Sequence, residues 1–221
     1  LVLYAALEGG IGVYCLLIPS MIEWAFPLFK WVYQTQTESY SLASLYRFLI
    51  CGLILLVPTS CMGATLPVLS KYISQGSKFL GRDVGTLYSF NTFGAVFGAL
   101  SSTFLFMRLW GVLATIWFAA SLNIGIALVI FLLFRPHMNR KGLEESDPEK
   151  EKTEFNSNSI PILLAFGLSG WCALTYQMAW NRILSLLLGS SIYAFSLILA
   201  TFILGLALGT MIFSQKVNQL K

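Results

Sequence analysis

Long stretches of this chain contain no charged residue at all. They include Phe48–Ser70, Val84–Met107, Val112–Phe134 and Ile183–Gln215. Because the hydrocarbon core of a bilayer is about 30 Å thick, one helical crossing takes roughly 20 apolar residues. Each of these stretches reaches that length, so the pattern predicts a chain that passes through a membrane several times.

The composition excludes a water-soluble globular domain. Hydrophobic residues make up 57% of the chain, charged residues only 11%, and the mean hydropathy is +0.74. A soluble domain carries about 25% charged residues, which this chain lacks. The net charge of +4 is modest, and the basic residues stand at the ends of apolar segments. We interpret them as orientation signals and predict no binding to nucleic acid.

The apolar segments predict an all-α fold, a polytopic transmembrane bundle of six helices. In lipid, a helix satisfies each backbone N–H and C=O within its own segment. Strand alternation is absent, which argues against a barrel. The six predicted helices cover Leu1–Phe29, Arg47–Ile73, Gly85–Met107, Val112–Phe134, Ile160–Leu187 and Ser191–Phe213.

A charged segment divides the chain into three parts. The range Arg135–Glu154 holds eleven of the 24 charged residues (14 basic and 10 acidic) and no apolar periodicity, which predicts a solvated linker. We expect a four-helix transmembrane block at residues 1–134, a cytoplasmic linker at 135–159, and a helical hairpin at 160–221 that begins a second half. The chain opens without a methionine and ends directly after an apolar hairpin, so we expect a fragment of a longer protein.

The basic residues predict the orientation of the bundle. With the amino end of the first helix in the cytoplasm, ten basic residues fall on the inner side and four on the outer side. The ten are Lys71, Lys78, Arg82, Arg135, Arg140, Lys141, Lys150, Lys152, Lys216 and Lys221. The four are Lys30, Arg47, Arg108 and Arg182. The positive-inside rule then predicts an integral protein of the plasma (inner) membrane, with both ends of this chain cytoplasmic.

Two polar residues inside apolar helices are candidate substrate contacts. Glu8 lies about 10 Å along the first helix at 1.5 Å per residue, where an ionisable group costs roughly 3 kcal/mol unless it faces the bundle interior. It is either a proton- or cation-coupled site or a carboxyl held by a neighbouring helix or close to the inner interface. Asn91 is expected to be buried, as an interhelical hydrogen-bond partner or a ligand contact.

The outer half of the fifth helix is the richest polar segment. Tyr176 and Trp180 are one turn apart on a shared face, and Gln177, Arg182 and, in the sixth helix, Tyr193 lie close to them in the sequence. These side chains either line a polar cavity or anchor the helix at the interface. We favour the cavity for Gln177 and Arg182 and the anchor for Trp180.

Prolines and glycines predict local packing. Pro58 and Pro67 interrupt the second helix, and Thr59, Ser60 and Thr65 are expected to satisfy the carbonyls that the prolines release. Such kinked helices border cavities in transporters or serve only packing. Glycines at four-residue spacing predict close helix contacts; they are Gly94, Gly98, Gly205 and Gly209.

The cysteines do not form a metal-binding pattern. Cys15, Cys51, Cys61 and Cys172 lie in apolar segments without CxxC spacing, and the only histidine, His137, lies in the linker. We interpret the cysteines as small buried hydrophobic residues and predict neither a metal nor a cofactor.

Several motifs together resemble one family. They are Leu3-Tyr-Ala-Ala-Leu-Glu-Gly-Gly-Ile-Gly-Val-Tyr14, Pro58-Thr with Met62-Gly-Ala-Thr-Leu-Pro67, Gly81-Arg-Asp-Val-Gly-Thr-Leu-Tyr88 with Asn91-Thr-Phe-Gly-Ala95, Gly167 to Arg182, Leu188 to Phe195, and Gly205-Leu-Ala-Leu-Gly-Thr210. This series is similar to the membrane part of the fused spermidine synthase-like proteins. In that family a membrane domain similar to major facilitator transporters is joined to a spermidine synthase-like domain.

The resemblance implies that the six helices correspond to the third to eighth helices of a larger bundle, with the linker between its two halves. It implies no catalytic residue, because an aminopropyltransferase needs a Gly-rich loop after a strand and acidic residues for the amine, and this chain has no room for such a domain.

Three functions remain open at this point. The first is a membrane segment that transports or positions a polyamine-related or other small polar or cationic substrate. The second is a pure anchor for an aminopropyltransferase domain that lies outside this chain, so that only the parent protein would be an enzyme. The third is a major facilitator-type transporter without an enzyme domain. The expected partners are the lipid bilayer, the remaining helices and a soluble domain of the parent protein.

Overall fold

The computed structural model describes residues 1–35, 40–74, 80–141 and 159–216. Nearly all of these residues are helical, and no strand occurs among them. The elements are α1 (Val2–Thr35), α2 (Tyr40–Ser74), α3 (Leu80–Ser101), a π turn (Ser102–Phe106), α4 (Met107–Lys141), α5 (Ser159–Leu188) and α6 (Ile192–Lys216). The all-α prediction is confirmed, and each predicted helix has a counterpart.

Within the described part of the chain, four helical segments are long and apolar enough to cross a membrane. They are Val2–Val32, Ser44–Ile73, Gly81–Phe134 and Ile192–Lys216. The protein is therefore a multi-pass, membrane-embedded helical bundle. The third segment joins α3 to α4 over 54 residues, and the four segments do not cover α5. The number of six crossings accordingly stays a prediction.

The chain turns back near the start of α4. Gly111 has φ 78° and ψ 176°, a conformation that glycine adopts without the steric cost of a Cβ. In a straight helix Phe106 and Phe118 would stand about 18 Å apart along the axis, yet their ring centroids are 4.9 Å apart. The predicted break between Met107 and Val112 is thus occupied by helix with one non-helical glycine, at which the chain turns back. The π turn packs against α4, whereas the described residues of α3 and α4 themselves do not contact each other.

The helices pack in a defined set of pairs. α1 lies against α4 and α2, α3 lies against α6 and α2, and α5 lies against α6. Two glycines bring the paired backbones close. A Cβ added at Gly12 would lie 2.7 Å from the Ile124 side chain and 2.8 Å from the Ala120 carbonyl oxygen, and a Cβ at Gly85 would collide with Ser214.

The predicted glycine contacts are wrong. A Cβ at Gly94, Gly98, Gly205 or Gly209 would meet nothing within 4 Å. Four-residue glycine spacing permits a close approach but does not require one, because the partner helix must also present its narrow face there. The close contacts fall instead at Gly12 and Gly85.

A hydrogen bond between α1 and α2 compensates for the donor that Pro58 lacks. The proline has no N–H, so the carbonyl of Ile54, four residues earlier, loses its helical donor. The Tyr14 hydroxyl donates to this carbonyl at 2.9 Å. Thr59, which we expected to satisfy it, instead donates to Leu55 and Leu56 at 2.7 and 3.2 Å. The missing donor comes from a neighbouring helix.

Ring contacts and cavities show which helix ends lie together. Tyr72 near the end of α2 contacts Phe134 of α4, with ring centroids 6.5 Å apart. One cavity is lined by Leu66 of α2, Gly81 of α3, Phe166 of α5 and Thr210 of α6, among others. The end of α2, the start of α3, the last apolar turns of α4, the start of α5 and the end of α6 therefore lie at one end of the bundle.

We call this the basic end, because Lys71, Arg82 and Lys216 lie in the helix turns that meet there. Arg108 and Arg182 lie towards the opposite end, where the α5–α6 turn is found; we call it the hairpin end. Lys71, Arg82 and Lys216 thus lie at one end of the bundle. Which face of a membrane each end meets stays a prediction.

The linker begins later than we predicted. α4 continues to Lys141, so residues 135–141 are helical and prolong the preceding helix. Residues 142–158 lie outside the described residues, as do Lys78, Lys150, Lys152 and Lys221.

The surface of the bundle is strongly apolar. Trp24 is 80% exposed, and Phe166 and Leu187 are each 79% exposed. Soluble proteins rarely expose continuous apolar surface of this extent, whereas lipid tails cover it without cost. Most residues of α5 are exposed, which is compatible with contact to lipid.

Candidate functional site

An apolar depression beside the predicted site lies between α5 and α6; we call it the α5–α6 groove. Its volume is about 590 Å³, within the range of small-molecule pockets. It is lined by Gln177, Trp180, Leu184, Leu188, Leu197, Ile198, Thr201, Phe202, Gly205 and Leu206.

Aromatic rings and one amide give this groove its chemistry. Trp180 stacks on Tyr176 at 5.8 Å between centroids and meets Phe202 edge-on at 6.4 Å. The Thr201 hydroxyl donates to the Leu197 carbonyl at 2.8 Å, so the Gln177 amide is the main polar group facing the groove. Such a surface suits a ligand with an alkyl body and a cationic or hydrogen-bonding head.

Arg182 lines a second cavity at the turn between α5 and α6, which we call the hairpin cavity. Its volume is about 520 Å³. Its lining residues are Met178, Asn181, Arg182, Ser185, Gly189, Ser190, Ser191, Ile192, Ala194 and Phe195. It shares no lining residue with the α5–α6 groove, so the structure assigns Gln177 and Arg182 to different cavities.

Tyr193 belongs to the contact between α3 and α6. Its ring lies 5.3 Å from that of Phe104 in the π turn. Beside it, the hydroxyls of Thr103 and Ser196 form a buried hydrogen bond of 2.7 Å. Tyr193 lines neither cavity, so its observed role is packing.

Glu8 is half-buried on α1 and has a partner in its own helix. The Tyr4 hydroxyl, one turn earlier, donates a hydrogen bond to the Glu8 carboxylate. One residue on, a Cβ at Gly9 would touch Ala127 of α4 at 3.4 Å, so Glu8 lies next to the α1–α4 contact. The bond to Tyr4 fits a structural carboxyl, and the proton- or cation-coupled role stays a prediction.

Asn91 is exposed on α3 and lines neither cavity. The prediction that it is buried is wrong. α3 directs Ser89 and Thr92 into the protein instead, and their hydroxyls donate to the carbonyls of Gly85 and Tyr88. A face turned to lipid or to a further helix is compatible with the position of Asn91.

The six candidate residues therefore do not form one site. Gln177 lines the α5–α6 groove, Tyr176 stacks on Trp180 beside it without lining it, and Arg182 lies about one turn further along α5 in the hairpin cavity. Glu8, Asn91 and Tyr193 lie elsewhere. Ser190 and Ser191 also line the hairpin cavity, but we did not predict them as site residues. The sequence Gly189-Ser190-Ser191 is typical of a turn between two helices and could have indicated them.

Among the described residues, no group of three or more His, Cys, Asp or Glu side chains could hold a metal ion. Cys15 and Cys61 are half-buried, and Cys51 and Cys172 are exposed. The prediction that all four cysteines are buried is therefore wrong for the last two. Lipid or a further helix can cover them.

Comparison with known proteins gives no assignment. No protein-family model matches this chain, and no curated protein and no solved structure is significantly similar to it.

Proposed function

We propose that this chain is the membrane-embedded segment of a spermidine synthase-like integral membrane protein, and that it transports or positions a small polar substrate related to polyamines. The α5–α6 groove carries the proposal. It offers aromatic faces and one amide in an otherwise apolar surface, which is the chemistry that binds an alkyl amine by its stem and its cationic head.

We further propose that the chain crosses the membrane six times. The 54-residue segment would measure about 81 Å if straight, far more than one bilayer, and its fold-back at Gly111 divides it into two crossings. α5 has 30 residues and is about 45 Å long, also enough to span. The start of α5 lies at the basic end with the last apolar turns of α4, which supports a linker that stays on one face.

The pairing of α3 with α6 supports a transporter-like arrangement. α3 precedes the linker and α6 follows it, so this contact joins the two predicted halves of a larger bundle. In transporters built from repeats, the substrate site lies near the midplane at the interface between repeats. The α5–α6 groove is on the second of these halves, next to that interface.

Spermidine binding to the protein in lipid nanodiscs tests the substrate class. We expect Trp180→Ala and Gln177→Ala each to weaken spermidine binding, by roughly tenfold for the tryptophan because its ring face is lost. Trp171→Ala is the matched control, since Trp171 is an exposed tryptophan of α5 outside the groove. Equal effects of Trp171→Ala and Trp180→Ala would remove the groove as the site, and Glu8→Gln tests the acidic candidate in the same assay.

One observation favours a second candidate, a membrane anchor for an aminopropyltransferase domain. The described residues that line the α5–α6 groove include no carboxylate, although a bound polyamine is usually matched by one. If spermidine does not bind at all, the anchor becomes the better interpretation. A Gly-rich strand–loop–helix with an acidic pair in the parent reading frame would support it, whereas further helices alone would favour a facilitator-type transporter.

A further inference from the structure

The hairpin cavity combines a cation with several hydrogen-bond donors. Met178, Arg182 and Ser185 follow one another at helical spacing on one face of α5, and Asn181 lies beside them. Gly189, with φ 83°, then turns the chain, and Ser190 and Ser191 close the cavity on the side of α6.

Arg182 is the single charged residue among those that line this cavity. The acidic residues that the structure describes are Glu8, Glu23 and Asp83, and none of them lines it. The end of α5 contributes partial negative charge and the start of α6 partial positive charge, so the two helix termini largely offset each other. The guanidinium of Arg182 therefore makes the electrostatic potential in the cavity positive.

The hydroxyl groups differ in their ability to bind a ligand. The Ser185 hydroxyl donates to the Arg182 carbonyl at 2.8 Å, so its proton is used within the helix. The Ser191 hydroxyl accepts from the Ala194 N–H at 3.2 Å and keeps its own proton to donate. The cavity therefore offers the Arg182 fork, the Asn181 amide and the hydroxyls of Ser190 and Ser191 as donors.

We propose that the hairpin cavity binds a phosphate group, carried by a phospholipid headgroup or by a free phosphate ion. A guanidinium binds phosphate through two parallel hydrogen bonds and suits it better than a point charge does. The cavity volume of about 520 Å³ exceeds what one phosphate fills and leaves room for the rest of a headgroup. This site is independent of the proposed function, because a positive cavity repels a polyamine.

The test uses the whole chain in two preparations. In the first, the protein in a non-ionic, phosphate-free detergent (dodecyl maltoside) is titrated with inorganic phosphate at constant ionic strength. In the second, the protein is reconstituted with an equal mixture of phosphatidylcholine and phosphatidylglycerol, and the lipids that remain bound after gel filtration in detergent are counted by mass spectrometry. The variants are Arg182→Ala and Arg182→Lys. The control is Arg108→Ala, which removes an exposed arginine near the same end without touching the cavity.

We expect Arg182→Ala to weaken binding about tenfold or more, since hydrogen bonds to a charged group are lost. Arg182→Lys should recover part of the affinity, and Arg108→Ala should leave it unchanged. Saturable binding of inorganic phosphate identifies the free ion as the ligand. Retention of phosphatidylglycerol that depends on Arg182, without phosphate binding, identifies the lipid.

Two results would overturn the proposal. One is that neither probe binds to the wild-type chain. The other is that Arg108→Ala and Arg182→Ala reduce binding equally, which would show a general effect of charge at that end. Helix content measured by circular dichroism verifies that each variant is folded, so a loss of binding cannot be ascribed to unfolding.

Discussion

At the scale of single residues, the bond from Tyr14 to Ile54 shows how the membrane interior constrains a sequence. A backbone carbonyl without a donor costs several kcal/mol in lipid by transfer arguments, although measured hydrogen bonds between membrane helices average about 0.6 kcal/mol. Pro58 creates such a carbonyl, and Tyr14 satisfies it from α1 at 2.9 Å. The same proline therefore ties α2 to its neighbour.

A double-mutant cycle tests this connection. Tyr14→Phe should lower the free energy of unfolding by about 1 kcal/mol, because the Ile54 carbonyl loses its donor. In a Pro58→Ala background the new N–H of residue 58 supplies that donor, so Tyr14→Phe should have almost no effect. Reversible unfolding in mixed micelles measures all four variants. The same loss in both backgrounds would contradict the explanation.

Glycine substitutions test the close contact of α1 with α4. Gly12→Ala should destabilise the protein by about 1–3 kcal/mol, because the new methyl group meets Ile124 and the Ala120 carbonyl oxygen. Gly10→Ala is the matched control on the same helix, since nothing lies within 4 Å of its Cβ position. It should be neutral or slightly stabilising. The two variants are compared by the same unfolding assay, and equal losses would show that the helices are not in contact at Gly12.

At the scale of the elements, the fold-back at Gly111 depends on one backbone conformation. A side chain at φ 78° and ψ 176°, a conformation almost confined to glycine, costs about 1–3 kcal/mol, so Gly111→Ala should lower stability by that amount. Gly125→Ala is the control, because Gly125 lies in the helical part of α4 with nothing within 4 Å of its Cβ position. Thermal unfolding in detergent should separate the two variants. If they behave alike, α3 and α4 do not turn at Gly111.

The sequence predicted the helices better than it predicted their partners. The length of the apolar segments and the charges between them located all six, because a helix in lipid is defined by its own residues. The pairs α1–α4 and α3–α6 had no comparable signal. Helices that are apolar all round show no amphipathic face, and the glycine spacing that we used as a substitute pointed to Gly94, Gly98, Gly205 and Gly209, which touch nothing.

The candidate site was predicted in part for a related reason. Gln177 and Arg182 of α5 each line a cavity, and their contact with a substrate stays a prediction. Their separation into two cavities depends on the position of α6, which the sequence of α5 does not contain. Asn91 shows the opposite error, because a polar residue inside an apolar segment need not face the protein interior.

At the scale of the whole molecule, the topology is defined by the side of the membrane on which each helix end lies. Lys71 and Lys216 belong to the basic end, and Arg108 and Arg182 lie towards the hairpin end. Six crossings with cytoplasmic termini place the first pair inside and the second pair outside. The four candidate spans permit other arrangements, in which α5 does not cross or the 54-residue segment crosses only once.

Cysteine labelling distinguishes these arrangements. In a background where Cys15, Cys51, Cys61 and Cys172 are replaced by alanine, single cysteines are introduced at the four basic positions. We expect a membrane-impermeant maleimide to label Arg108→Cys and Arg182→Cys on intact cells, and Lys71→Cys and Lys216→Cys only after permeabilisation. If α5 does not cross, Arg182→Cys and Lys216→Cys exchange their behaviour. If α3 and α4 together form a single membrane crossing, the cysteine of Arg108→Cys lies within the bilayer. It then stays unlabelled in both intact and permeabilised cells. The arginine that shapes the hairpin cavity thus also reports on which side of the membrane a phosphate group could reach it.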